Sequence, residues 1–128
     1  MIYRQLEPSE HQIQAAFIKE IRILEVRYPE LKTLFAVPNA AKRSFKLAAM
    51  LKAEGMLSGV PDIVLPVARK GFNGLMIEFK KPKTGKLTTA QESYIDLIVK
   101  EGWLVVVMTD AQAAIDVVKG YLGITKTI

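Results

Sequence analysis

Two β-rich runs separated by a short glycine-containing segment constrain the fold most. The first run covers residues 62–67 and the second covers residues 75–80. This pattern predicts a β-hairpin. Because side chains alternate between the two faces of a strand, one face of the hairpin is entirely apolar and is expected to lie in the core. That face carries Ile63, Leu65, Val67, Leu75, Ile77 and Phe79.

The opposite face of the predicted hairpin carries Asp62, Glu78 and Lys80. With a turn centred near Lys70, Asp62 lies directly across from Glu78, and two like charges in that arrangement repel each other. Lys80 supplies one positive charge, and a divalent metal would supply the rest. The group therefore fits metal-assisted hydrolysis of a phosphodiester, in which the lysine steadies the developing charge or holds the nucleophile. The alternative is a surface cluster of Asp, Lys and Glu without a catalytic role.

The residue types that are missing restrict any metal to oxygen ligands. The 128 residues include no Cys and one His, His11. The absence of Cys excludes a disulfide framework, a zinc ribbon and a thiol nucleophile, and a single His cannot form a histidine-rich zinc site. Mg²⁺ or Mn²⁺ is therefore the expected ion.

Helices and further strands are predicted on both sides of the hairpin. The first helix begins at a capping box of Ser9 and Gln12, and Thr89 with Glu92 would cap the third. The second helix, over residues 43–54, is expected to turn four apolar side chains inward, namely Phe45, Leu47, Met50 and Leu51. The other predicted elements are a strand over residues 33–37, a strand over residues 103–108, and a last helix that opens at Thr109–Asp110. This order predicts one α/β domain over residues 1–128, with a mixed central sheet and helices on both faces.

Positive charge is in excess and favours a polyanionic partner. The chain has 18 Lys and Arg against 13 Asp and Glu, which gives a net charge of +5 and a pI near 9.5. The loop over residues 80–86 is rich in lysine but lacks the Walker spacing, so nucleotide hydrolysis is not supported. Basic residues near the hairpin and the second helix are expected to grip a DNA backbone. They are Lys42, Arg43, Lys46, Lys70, Lys81, Lys83 and Lys86. For the basic residues of the second helix, namely Lys42, Arg43, Lys46 and Lys52, a solvated helix face is the alternative to contact with phosphates.

The hydropathy pattern gives no sign of a membrane segment. The amino end has no apolar core of signal-peptide length, and the longest apolar runs, such as residues 103–108, are far too short to span a bilayer. We therefore expect a cytoplasmic protein with no membrane partner.

The hairpin motif and its context resemble a known nuclease family. The sequence PD at residues 61–62, followed by EFK at residues 78–80, resembles the PD-(D/E)XK motif of the restriction-endonuclease-like superfamily. With EHQIQ at residues 10–14, GVPD at residues 59–62 and Gln91 on the third helix, the chain resembles the virus-type replication-repair nuclease domain, VRR-NUC, in its short stand-alone form. The resemblance extends from Glu10 to about Val118.

The resemblance implies an αβββαβ core and a role for each motif residue. Asp62 and Glu78 would be metal ligands, together with the backbone carbonyl of Phe79. Glu10 would complete the acidic cluster as a further ligand. Lys80 would be the catalytic lysine, and Gln91 would position the site or contact the substrate.

The activity implied by the resemblance is that of a Mg²⁺- or Mn²⁺-dependent, structure-selective DNA endonuclease that acts in DNA repair. Short members of the family resemble Holliday-junction resolvases and act as homodimers, because two symmetric cuts need two active sites. The implied substrate is branched or double-stranded DNA. A cytoplasmic location would include a virus-encoded protein acting in a bacterial host. A non-catalytic DNA-binding module of the same fold and an exonuclease that trims ends are the alternatives.

Overall fold

Residues 7–38 and 44–124 are described by the computed structural model, and they form helices and strands in alternation. The helices are α1 (Glu10–Leu24), a 3₁₀ helix (Pro29–Thr33), α2 (Phe45–Ala53), α3 (Thr89–Lys100) and α4 (Ala111–Leu122). The strands are β1 (Phe35–Ala36), β2 (Ile63–Leu65), β3 (Gly74–Phe79) and β4 (Trp103–Met108). Of these residues, none belongs to a helix that is both long and apolar enough to cross a membrane.

The strands form one mixed sheet in the order β1-β2-β3-β4. The first three strands are antiparallel to their neighbours, and β4 pairs parallel to β3 after a crossover through α3. Ile63 pairs with Ile77, and this register places Asp62 opposite Glu78, as the sequence predicts. The hairpin turn has positive φ angles at Lys70 and Gly71, the geometry of a two-residue type I′ turn.

Helices cover both faces of the sheet, which confirms the predicted fold class. On one face α1 and α4 pack together over the apolar side of the hairpin. On the other face lie Glu78 and the first turn of α3, since Gln91 of that turn hydrogen-bonds to Glu78. The main buried cluster consists of Ile13, Phe17, Ile21, Leu31, Leu34, Ile63, Leu65, Leu75, Ile77, Phe79, Ala114, Ile115, Val118 and Tyr121.

Helix α1 forms as its sequence predicts. Ser9 and Gln12 make the full capping box, and the helix buries Ile13, Phe17 and Ile21 at intervals of four residues. The Phe17 ring meets the Phe79 ring edge-on, with centroids 5.3 Å apart. The helix ends at Leu24, earlier than expected, and the 3₁₀ helix that follows shortens the predicted strand to Phe35–Ala36.

The predicted burial of α2 is wrong. The helix is capped by Ser44, but none of its residues is buried, and Phe45 and Met50 are 92% and 51% exposed. The main physical reason is that no other helix or strand of the described residues packs closely against α2. Spacing adds to it: at roughly 100° per residue, Phe45 points about 120–160° away from the other three apolar side chains. Leu47, Met50 and Leu51 therefore do not share one face with Phe45.

The start of α3 is one residue earlier than predicted. Thr88, not Thr89, is the N-cap, and Gln91, not Glu92, completes the capping box. The shift matters because Gln91 is also a predicted site residue. Its side-chain oxygen is held by the backbone amide of Thr88, so the helix start fixes the direction of its amide group.

Candidate active site

Asp62 and Glu78 lie side by side on the α3 face of the hairpin. The backbone amide of Phe79 donates a hydrogen bond of 2.8 Å to Asp62 Oδ2. Because the Phe79 ring is fully buried in the core, this bond ties the Asp62 carboxylate to the best-packed part of the molecule. Glu78, in the pairing position opposite, is 3% exposed.

The two oxygens of Glu78 have different surroundings. Oε2 accepts a hydrogen bond from Gln91 Nε2 at 3.2 Å and lies 3.8 Å from Lys80 Nζ. Within residues 7–38 and 44–124, Oε1 is buried and has no hydrogen-bond partner. A buried carboxylate oxygen without a partner is costly unless a proton or a cation meets it.

The pKa of Glu78 is raised from 4.5 to about 8 in all, and burial is the largest cause. The neighbouring Asp62 carboxyl group is the second cause, and Glu10 adds a smaller increase. Lys80 acts in the opposite direction and lowers the pKa. At neutral pH the acid pair therefore holds a proton, and a divalent cation can take the place of that proton.

Glu10 lies near this pair but has a contact of its own. From the first turn of α1, its Oε1 accepts a hydrogen bond of 3.3 Å from the backbone amide of Lys81. In the described part of the chain, no group of three His, Cys, Asp or Glu side chains gathers closely enough to hold a metal ion. The structure thus brings Asp62 and Glu78 together, while the metal-binding roles of Asp62, Glu78, Glu10 and the Phe79 carbonyl stay predictions.

The acid pair opens into a cleft of about 1010 Å³. One side, which we call the α1 wall, consists of Glu10, His11, Gln14, Ala15, Ile18 and Lys19. The other side, the α2 wall, consists of Ala48, Lys52, Met56, Leu57 and Ser58. Lys80 and Gln91 lie in the same cleft, so all five predicted catalytic side chains line it.

The predicted DNA-contacting residues are distributed unevenly around this cleft. Lys81, Lys83 and Lys86 follow Lys80 in an exposed loop, where Lys83 makes an ion pair of 3.5 Å with Glu7. Lys46 is exposed on α2, but it does not line the cleft. Lys42 and Arg43 lie outside the described residues.

Lys70 lies at the far end of the hairpin from the acid pair. It occupies the tip of the type I′ turn, eight residues from Glu78, which corresponds to roughly 25 Å along the strand. A DNA contact of Lys70 therefore needs a substrate that extends well beyond the cleft.

Two features of the site escape the sequence reasoning. Gly59, with φ of +93°, passes so close to α3 that a Cβ there would lie 2.5 Å from the Ala90 carbonyl oxygen. Lys19 also lines the cleft, on the same side of α1 as His11 and Ala15. Its four-residue spacing from Ala15 is the sequence signal from which this position could have been predicted.

Comparison with known proteins agrees with this geometry. The family model of the VRR-NUC domain matches residues 7–112, a span that contains Glu10, the acid pair, Lys80 and Gln91. The chain belongs to the VRR-NUC domain family. A VRR-NUC domain has a nuclease-type fold, and a nuclease domain implies binding to DNA.

A solved structure of a VRR_NUC domain protein is similar to this VRR-NUC domain in fold. The similarity covers 94% of this chain and 93% of that chain, with a TM-score of 0.75 and 24% sequence identity. At that identity the likeness establishes the shared fold alone. A search of curated proteins found no match.

Proposed function

We propose that this VRR-NUC domain is a metal-dependent DNA endonuclease, with Mg²⁺ or Mn²⁺ held by Asp62 and Glu78. One observation carries the proposal: a buried glutamate faces an aspartate, and its Oε1 has no hydrogen-bond partner in the described residues. A buried carboxylate that faces a second, partly buried carboxylate is strongly unfavourable without a counter-charge. Carboxylate oxygens are the ligands that both ions prefer, so this pair fits such a metal.

Each side chain of the pair is already oriented for this role. The Phe79 amide fixes Asp62, and Gln91 together with Lys80 occupies one oxygen of Glu78 and leaves the other available. Preorganised ligands of this kind avoid reorganisation during the reaction. When bound, the metal would supply Lewis acidity and would lower the pKa of a coordinated water.

Lys80 is proposed to stabilise negative charge on the phosphate. Its side chain is 10% exposed and its ammonium lies 3.8 Å from Glu78, at the floor of the cleft. A preorganised cation in a site of low water content stabilises developing charge more strongly than it would in water. Glu10 is proposed as a further ligand, because it is near enough to raise the pKa of Glu78.

The choice of substrate depends on the family resemblance and on the basic loop. We propose branched DNA, cut as Holliday-junction resolvases cut it, by a homodimer that brings two sites to two strands. The exposed lysines at residues 81, 83 and 86 follow the catalytic lysine directly and support contact with a DNA backbone.

Cleavage of labelled four-way junctions, linear duplexes and closed circles in Mg²⁺ or Mn²⁺ tests the proposal. We expect the junction to be cut by the parent, and Asp62→Asn and Lys80→Ala to reduce the rate by roughly 100-fold or more. Lys100→Ala, at the distant end of α3, is the control and should cut like the parent. Cutting of closed circles would show endonuclease activity. Equal cleavage by the parent and both site variants would overturn the assignment.

A non-catalytic DNA-binding module is the second candidate. It is favoured because no three His, Cys, Asp or Glu side chains of the described residues are grouped closely enough to hold a metal ion. This function predicts junction binding that is unchanged by EDTA and by Glu78→Gln, with no product in any metal. An exonuclease would cut linear DNA from its ends and leave closed circles intact.

A further inference from the structure

The cleft continues from the acid pair along α1 and ends at a lysine that no catalytic role requires. His11, Ala15 and Lys19 follow each other at four-residue intervals along the α1 wall. Lys19 lies nine residues after Glu10, which is about 13 Å along the helix axis. The exposed ammonium group of Lys19 is therefore well separated from the acid pair, yet it belongs to the same cleft.

A second lysine lies on the α2 wall. Lys52 is exposed in the last turn of α2 and lines the cleft one turn after Ala48. Within residues 7–38 and 44–124, neither Lys19 nor Lys52 has an acidic partner within ion-pair distance. Two cations without partners on opposite walls of one cleft favour an anion between them.

The rest of the lining indicates what kind of anion fits. Besides the lysines and the acid pair, the lining combines apolar residues, such as Ala15, Ile18 and Met56, with polar ones, such as Gln14 and Ser58. Among the described residues that line the cleft, none is Phe, Tyr or Trp, so they offer no aromatic ring on which a base could stack. Recognition would occur through phosphates and sugars, which are the same for every sequence.

We infer that one DNA strand runs through this cleft between the α1 and α2 walls, with Lys19 and Lys52 contacting its phosphates. The inference depends on the proposed function, because it takes the acid pair as the point of cleavage. Because Lys19 lies about 13 Å along α1 from Glu10, its contact is expected a few phosphates away from the cut bond. Binding is expected to be independent of sequence.

The contact with Lys52 would also hold α2 in place. None of the residues of α2 is buried, so few contacts fix this helix in the free protein. A helix with little buried surface opens readily, and its amide hydrogens exchange with solvent at correspondingly high rates. Strand binding is expected to slow that exchange in α2, and Lys52→Ala is expected to abolish the slowing.

Binding measured in EDTA tests the inference without any cleavage. The probe is a fluorescently labelled junction, titrated at several salt concentrations with Lys19→Ala, Lys52→Ala and the control Lys100→Ala. Each cleft variant should lower the slope of log affinity against log salt by about 0.9, whereas the control should leave it unchanged. Lys19→Arg and Lys52→Arg should restore the slope. Slopes that are equal for the parent and both alanine variants would overturn the inference.

Replacing single phosphates with neutral methylphosphonates locates the contact. Neutralising one phosphate, a few phosphates away from the cut bond, should weaken binding by the parent but not by Lys19→Ala. If the loss of affinity caused by each methylphosphonate were the same for the parent and for Lys19→Ala at every position, a Lys19 contact would be contradicted. Failure of the proposed function has a different signature, namely no cleavage by the parent in any metal while the salt slopes still respond to Lys19 and Lys52.

Discussion

The two walls of the cleft are built on helices that start alike and pack differently. Both α1 and α2 begin at a serine N-cap whose hydroxyl accepts a hydrogen bond from a backbone amide of the first turn. Helix α1 buries three side chains against the sheet and α4, whereas α2 buries none. Both helices therefore carry a local start signal, and the difference in burial comes mainly from tertiary packing.

This difference separates two tasks within the site. The acid pair, Gln91 and Lys80 belong to the hairpin and to α3, and Glu10 projects from the well-packed α1. The proposed catalytic role requires these groups to have fixed positions, because small displacements are costly in catalysis. The α2 wall offers Lys52, Ser58 and apolar contacts, so on the proposed strand path it could adjust to the strand without disturbing the acid pair.

The largest expected effect comes from a comparison in which one phenylalanine of α1 and one of α2 are each replaced by alanine. Phe17→Ala removes a fully buried ring that contacts Phe79, and should lower the free energy of unfolding by about 3–5 kcal/mol. Phe45→Ala removes a ring that is 92% exposed and should change it by less than about 0.5 kcal/mol. Urea denaturation of the two variants and the parent measures both. A large loss for Phe45→Ala would show that α2 packs in solution.

A smaller effect on stability is expected from Glu78, the buried carboxylate of β3. The pKa of Glu78 is raised from 4.5 to about 8 in the folded state, so the folded protein binds more protons than the unfolded chain between these values. Stability should therefore fall as the pH rises through this window. Glu78→Gln removes the titrating group, so its unfolding free energy should rise relative to the parent by up to a few kcal/mol from pH 4.5 to pH 8.

Chemical denaturation across that pH range, in EDTA, checks the Glu78 prediction. Glu92→Gln, which alters an exposed carboxylate of α3, is the matched control and should follow the parent at every pH. Parallel profiles for the parent and Glu78→Gln would mean that the pKa of Glu78 is not raised in the folded protein. Burial of Glu78 would then not lower the free energy of unfolding as the pH rises.

Much of the hairpin and of α1 could be predicted from the sequence, because the signals for both are local. Alternation along residues 62–67 and 75–80, with a turn between them, suffices to set Asp62 opposite Glu78. The capping box at Ser9 marks the start of α1. These patterns depend on neighbours in the chain, so no knowledge of the tertiary structure was needed.

The α2 side could not be predicted, because its state depends on partners far away in the sequence. Apolar residues between 45 and 51 suggested a buried face, but no element of the described chain packs closely against them. The hydrogen bond from the Lys81 amide to Glu10 likewise depends on the tertiary structure, because it joins residues 71 positions apart. One-residue errors at a helix start, as at Thr88, are typical of such boundaries.

The last comparison concerns two glycines in the loop after α2, of which one lies in open space and the other against α3. Gly55 and Gly59 follow α2 in one loop, and both have positive φ angles, +107° and +93°. Alanine at Gly55 would meet nothing within 4 Å, so Gly55→Ala should cost only the backbone strain of about 1 kcal/mol. At Gly59 the new Cβ would press on the Ala90 carbonyl and the Gln91 amide, which should add roughly 1–3 kcal/mol. Because Gln91 holds Glu78, Gly59→Ala should also change the pH profile of stability, and Gly55→Ala should leave it intact. Equal losses in the free energy of unfolding and equal pH profiles for the two variants would mean that Gly59 is not fixed against α3.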